Sequence, residues 1–563
     1  MKFSKKITLI IIFISVGVFI SKIWHSSDKH KSAAIVTGHP EATKIGEFIL
    51  NQGGNAIDAS IATQLALAVC FPRAGNIGGG GFMIYRTKEG ESYSLDFREK
   101  APKKSTKNMY LDSIGNVIDY LSTHGVLSIG VPGTISGIFD AHQKFGSLSI
   151  EELFNPAIKL AENGFQINER QADLLNKYKG DFIKYNHNNN YFVKDSNWKS
   201  GDTLIQKDLA NTLKIIRDKK RQSFYNGAIT KKIIQSLGAE SILSEDDFKD
   251  YKSVWRKPIT AKINNYKIIS MPPPSSGGIA LSQLLLMYIN AGLKDIKHNS
   301  VEYIHLLSEI EKLVYADRSK YLGDSDFYNV PTNELLNIEY IKNRLNKIDV
   351  YKANPSRNIN PGSLSYSESE ETTHFSIVDF EGNAVSVTTT LNTNFGSKVF
   401  VDELGFLLNN EMDDFSSKPG HPNTYGLIGS EANSIEPEKR MLSSMTPTII
   451  EKNGELFLVL GSPGGSTIIT SIFQTILNVI LFEMDIQRSV NSPRFHHQWL
   501  PDMIYLEKNS FPKTTLDSLK KLGHKIKQRS SMGHVNAIHI DGKIDAGADK
   551  RGSNAASILP NYN

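Results

Sequence analysis

The chain has 563 residues, 40% of them hydrophobic and 22% charged, and a formal net charge of +5. That length exceeds one ordinary domain and supplies ample apolar material for a large core. Six lysines in the first 31 residues face only Asp28, so the remainder is close to neutral and a basic nucleic-acid-binding body is excluded.

Lys2, Lys5 and Lys6 open the chain, followed by an apolar run from Ile7 to Ile20 interrupted only by Thr8, Ser15 and Gly17. A basic start and a short apolar core read as a secretory signal peptide, too short for a comfortable bilayer span. No small-x-small cleavage site follows, and Trp24 suits a membrane interface. A retained N-terminal membrane anchor is therefore the second reading of residues 1–31.

Asn55 precedes Ile57, Ile61, Leu65 and Val69, the spacing of a capped amphipathic helix. Cys70 closes that run. As the only cysteine it allows neither an intramolecular disulfide nor a thiolate cluster, and it reads as a small buried hydrophobe. A glycine-rich loop from Gly75 to Gly81 leads into a strand at Phe82–Tyr85. Pro272–Gly278 forms a stiff loop that opens a helix at Ile279, and Val301–Leu313 carries a helical pattern.

Residues 349–371 lack apolar periodicity and end in Ser367-Glu368-Ser369-Glu370-Glu371, so they read as an exposed loop. A hairpin follows at once: Thr372–Asp379, a turn at Phe380-Glu381-Gly382, then Asn383–Leu391. With Glu381 at the centre of the turn, Thr372 falls opposite Thr390. A threonine hydroxyl is a poor nucleophile unless a base takes its proton. At the start of a chain its own α-amino group, with a pKa of about 7.7–8.0, can do so. An internal threonine beside a flexible loop is what a self-cleaving precursor would carry, although Thr372-Thr373-His374 alone reads more readily as an ordinary strand.

Leu95–Glu99, Pro272–Gly278, Leu391–Gly396, Asn409–Phe415, Met441–Pro447 and Gly461–Gly465 follow in order along the chain. Together with Thr372 they resemble the γ-glutamyltransferases, from about Ala34 to the C-terminus. The resemblance implies an α+β, four-layer αββα N-terminal-nucleophile hydrolase fold. It implies a large subunit (32–371) and a small subunit (372–563), made from one precursor by self-cleavage and held as a heterodimer. Thr372 would be the nucleophile, Thr390 its hydrogen-bonding neighbour, and Gly464 and Gly465 the oxyanion donors.

By the same resemblance Arg98, Ser443 and Ser444 would bind the donor's α-carboxylate, while Glu411 and Asp414, assisted by Asn392, hold its α-ammonium. Ser416–Arg440 would form a lid bearing Tyr425, as in bacterial members. Export through residues 1–31 would place the protein in the periplasm or outside the cell. The implied activity is γ-glutamyl transfer from glutathione and related compounds to water, amino acids or peptides, without a cofactor. His496-His497 lacks metal-ligand spacing, since neighbours on a strand face opposite ways, and no metal is expected. The alternatives are an acylase of the same fold, such as a cephalosporin acylase, and a non-cleaving homologue that only binds.

Overall fold

The computed structural model describes residues 32–360, apart from 187–189 and 293–294, and residues 372–561, apart from 419, 422, 424–426 and 428. The N-terminal segment 1–31, the junction 361–371 and Tyr425 lie outside the described residues. Two antiparallel sheets form the centre. Their strands in chain order are β1 (Ser32–Thr37), β2 (Gly80–Arg86), β3 (Ser92–Asp96), β4 (Val254–Arg256), β5 (Ile259–Ile263) and β6 (Tyr266–Ser270), then β7 (Thr373–Val378), β8 (Ala384–Thr390), β9 (Thr448–Lys452), β10 (Glu455–Gly461), β11 (Asn536–Asp541), β12 (Lys543–Ala548) and β13 (Ala555–Pro560). One sheet runs β13-β1-β7-β8-β2-β3-β4 and the other β12-β11-β10-β9-β6-β5.

Alternation along each strand assigns the faces. Ile35, Met83, Tyr85, Phe375, Ile377, Val385 and Val387 point outward into a core closed by helices that include Pro40–Asn51, Ala56–Cys70 and Ile150–Asn163. Val36, Phe82, Ile84 and Ala384 point inward and share a second core with Ile268, Ile449 and Leu458 of the other sheet. That core is covered in turn by helices Gly277–Asn290, Val301–Tyr321 and Thr467–Ile480. The layers are therefore helix, sheet, sheet, helix, as the expected αββα fold requires.

Nearer Thr372, the inward positions of β7 and β8 are polar and hydrogen-bonded. The ring nitrogens of His374 lie 2.9 Å from Thr388 Oγ1 and 3.0 Å from Ser376 Oγ, and Ser386 Oγ donates to the Leu460 carbonyl at 3.0 Å. Buried polar groups are tolerated there because each has a partner.

The hairpin has the register read from the sequence: Thr373 pairs with Thr389 and Val378 with Ala384. Continuing that ladder by one step sets Thr372 opposite Thr390. Asn55 caps the helix Ala56–Cys70 through a capping box with Asp58. The amphipathic expectation is corrected, because all fifteen residues of that helix are buried. It lies between the sheet and the helix Ile150–Asn163 and has no solvent face. Cys70 is buried within it, and burial pushes its thiol well above the ordinary range.

Candidate active site

Thr372 sits at the open end of the hairpin, 6% exposed. Its Oγ1 accepts a hydrogen bond from the Gly464 N–H at 3.1 Å. The backbone that delivers this N–H follows β10 and turns through positive φ at Gly464 (132°) and Gly465 (52°), a conformation that favours glycine. The space is closed as well: a Cβ on Gly464 would lie 2.7 Å from Thr467 Oγ1, and one on Gly461 would lie 2.3 Å from the His374 ring. Helix Thr467–Ile480 starts directly after, so the turn stands at a helix N-terminus, where exposed N–H groups favour negative charge.

Thr372, Thr390, Asn392, Arg98, Glu411, Asp414, Ser443, Ser444 and Gly465 all line one small pocket. Residues far apart in the chain, expected from motifs alone, are thus brought together. Thr390 Oγ1 accepts the Asn392 N–H at 2.7 Å, which ties the end of β8 to the positive-φ turn at Asn392.

Arg98 is fully buried. Its guanidinium hydrogen-bonds Glu411 through Nη1 and Asp414 through Nη2, and Glu99 lies 3.6 Å away. One cation thus faces three carboxylates. Burial pushes Asp414 up to about 6 and Glu99 up to about 8, and lifts Glu411 well above the carboxylate range, each against the pull of Arg98. Burial alone would lower the Arg98 pKa, but Glu411, Asp414 and Glu99 raise it above its usual value. Both oxygens of Glu99 and Oε2 of Glu411 are buried without a hydrogen-bond partner. The unpartnered carboxylate oxygens leave room beside the pocket for a further hydrogen-bond donor.

The Met441–Thr446 loop is pinned by the Pro272–Gly278 loop, so two sequence motifs form one structure. Ser443 N–H donates to the Pro274 carbonyl (2.9 Å), Ser275 Oγ to the Met445 carbonyl (2.6 Å), and Ser276 Oγ to the Ser443 carbonyl (2.7 Å).

Arg318, on helix Val301–Tyr321, lines the pocket and escaped the sequence reading because it carried no motif signal. Glu99, the last residue of its motif, lies beside Arg98. His374 is completely buried, and burial lowers its pKa to about 3, so it is neutral across the working range and no candidate for a titrating base.

Among the described residues His305, Glu309 and His524 bring potential metal-binding atoms within 4.8 Å of one another. Those atoms serve internal bonds: the two histidine rings meet at 2.7 Å, and Glu309 pairs with Lys312 at 2.7 Å.

The gamma-glutamyltranspeptidase family model matches residues 42–559. The chain belongs to the γ-glutamyltranspeptidase family. It is 44% identical over 527 residues to a glutathione hydrolase proenzyme of Escherichia coli (strain K12), covering 92% of this chain and 90% of the relative. It is 38% identical to the glutathione hydrolase proenzyme of Bacillus subtilis (strain 168), covering 91% and 89%. Among solved structures, the Helicobacter pylori γ-glutamyltranspeptidase is 44% identical with a TM-score of 0.56, covering 57% of this chain and 94% of that one. A cephalosporin acylase from Bacillus halodurans matches at a TM-score of 0.83 and 24% identity, covering 94% and 96%. This last likeness extends over almost the whole chain and shows the shared fold. The γ-glutamyltranspeptidase scaffold is therefore the N-terminal-nucleophile hydrolase fold expected from the motifs.

Proposed function

We propose that this γ-glutamyltranspeptidase is made as a precursor and cleaves itself before Thr372. The products are a large subunit, 32–371, and a small subunit, 372–563, which stay together as a heterodimer. Thr372 then transfers γ-glutamyl groups from glutathione and related compounds to water, amino acids or peptides. The observation that carries this reading is the Thr372 Oγ1 contact with Gly464 N–H, made at the edge of a pocket that holds both charge signs.

In the cleaved protein the α-amino group of Thr372 takes the hydroxyl proton as Oγ1 attacks the γ-carbonyl. Negative charge on the carbonyl oxygen is met by the N–H groups of Gly464 and Gly465. The departing amine takes the proton, which leaves a γ-glutamyl ester on Thr372. Water or an acceptor amine then attacks the ester and restores the hydroxyl.

Ser443 and Ser444, with Arg98 behind them, receive the donor's α-carboxylate. Glu411, Asp414 and Asn392 receive its α-ammonium, a donor that suits the unpartnered Oε2 of Glu411. Support for a γ-glutamyl donor over another acyl group comes from this pairing, since an acylase for a different acyl group has no use for an amino-acid clamp. Tyr425 is assigned to a lid over the pocket on the family resemblance alone. Residues 1–31 are assigned to export, as signal or anchor. Among the described residues no helix is long and apolar enough to cross a membrane.

Amino-terminal sequencing of the purified protein is expected to find one fragment starting at Thr372, and the protein is expected to release p-nitroaniline from γ-glutamyl-p-nitroanilide. A small fragment with another start, or fully cut protein without turnover, would overturn the proposal.

The ammonium assignment has a pH signature. Asp414 holds the ammonium only when ionised, and its pKa is raised to about 6. The donor KM is expected to rise as the pH falls below about 6, on top of a kcat limb set by the α-amino group near its usual range. In Asp414→Asn the KM should be high at every pH and lose that additional rise. A KM limb unchanged in Asp414→Asn would show that another group senses the pH.

A further inference from the structure

Arg318 stands in the last turn of helix Val301–Tyr321, is 4% exposed, and lines the pocket that contains Thr372. Its Nε donates to Ser276 Oγ at 2.9 Å and its Nη2 donates to Ser444 Oγ at 3.0 Å. Ser276 in turn donates through both Oγ and N–H to the Ser443 carbonyl, each at 2.7 Å. One guanidinium thus holds the Ser443-Ser444 pair from two sides, once directly and once through Ser276.

A guanidinium has only donors. Wherever it bonds a hydroxyl, the hydroxyl oxygen must accept, and the hydroxyl hydrogen is left to point elsewhere. Ser444 Oγ is in that position, beside a pocket lined by Ser443, Arg98 and Thr372. An ionised carboxylate is an acceptor only and needs a donor there. The adjacent cation also polarises the hydroxyl, which strengthens the bond it donates.

The preceding residue on the helix makes a useful contrast. Asp317 pairs with Arg344 at 2.9 Å and accepts from Gln283 at 3.3 Å. It ties the helix to its neighbours, so that task does not rest on Arg318 alone.

We propose that Arg318 is a positioning residue for donor recognition. It fixes the Ser444 hydroxyl as a hydrogen-bond donor and, through Ser276, sets the height of the Ser443-Ser444 loop, so that the pocket selects donors carrying an ionised α-carboxylate. This rests on the γ-glutamyl reading given above and adds to it the origin of carboxylate selectivity.

The test compares γ-glutamyl-p-nitroanilide with its α-carboxamide analogue, which has the same shape without the negative charge. Arg318→Gln is expected to lower kcat/KM on the carboxylate donor by about 10- to 100-fold, mainly through KM, as loss of a charge-assisted contact implies. On the carboxamide it is expected to change kcat/KM by less than about threefold. Arg318→Lys keeps the charge but cannot bridge both serines, and should fall between Gln and wild type.

Appearance of the two fragments reports folding. If Arg318→Gln fails to process, Ser276→Ala supplies the test, with a smaller loss confined to the same donor. In a double-mutant cycle Arg318→Gln and Ser444→Ala should be strongly non-additive on the carboxylate donor. Equal losses on both donors, no loss on either, or additive effects would overturn the proposal. Wild-type protein that turns over neither donor would instead refute the γ-glutamyl reading itself, so the two failures are distinct.

Discussion

Thr372→Ala is expected to yield a single uncut chain with turnover reduced by about 10⁴-fold or more, the scale seen when a nucleophile is removed. No neighbour can replace it. Among the described residues, the Gly464 N–H meets the Thr372 hydroxyl. The Thr390 oxygen is engaged by the Asn392 N–H at 2.7 Å. Thr373 lies one step along β7 and so faces the opposite side of the sheet. The effect is double, because an uncut chain also keeps the nitrogen of residue 372 in an amide, where it cannot serve as a base. Gel analysis and mass spectrometry of the purified variant read the first part, and release of p-nitroaniline reads the second. Cleaved Thr372→Ala protein would remove this residue from the role of nucleophile.

Arg98→Ala is expected to cost stability as well as activity. Glu411, Asp414 and Glu99 surround this one buried cation, and removing one partner of a buried ion pair costs about 3–5 kcal/mol. The sign of the pH dependence follows from the raised pKa values. Unfolded carboxylates ionise near pH 4, whereas folded Asp414 holds its proton to about 6 and Glu99 to about 8 even with Arg98 present.

Folded protein therefore binds more protons than unfolded protein above pH 4, and these groups lower stability as the pH rises through that window. Without Arg98 the carboxylate pKa values climb further. The deficit in Tm should be larger at pH 8 than at pH 5. Arg98→Lys restores a charge but not a two-pronged contact, and should recover stability more than donor kcat/KM. An Arg98→Ala protein with wild-type Tm at pH 8 would contradict the electrostatic account of the pocket.

Local signals in the sequence carried much of the architecture. A three-residue turn ending in glycine fixed the register of β7 and β8, and with it the facing of Thr372 and Thr390, because a hairpin leaves little freedom once its turn is known. The Asn55 cap was equally local, since its partner Asp58 is three residues away. Burial was harder to read. The helix after Asn55 shows an apolar stripe, but its remaining faces carry alanines and small polar residues that pack as well as they solvate.

Arg318 shows the limit for the site. It gains its meaning from Ser444, 126 positions on. No spacing rule connects residues on a helix and a distant loop that meet only when the layers close. The serines were legible because their motif is contiguous, whereas the group that orients them was not.

The order of strands in the larger sheet has a consequence for the proposed cleavage. A cut before Thr372 would divide that sheet into alternating shares. β13 is from the second piece, β1 from the first, β7 and β8 from the second, and β2, β3 and β4 from the first. The other sheet is shared too, with β12, β11, β10 and β9 from the second piece and β6 and β5 from the first. The two proposed products would be woven, not docked: β1 is hydrogen-bonded on both edges to strands that follow Thr372. Both hydrophobic cores draw residues from both sides of position 372. On the proposed cut before Thr372, such interleaving favours folding as one continuous thread before the break.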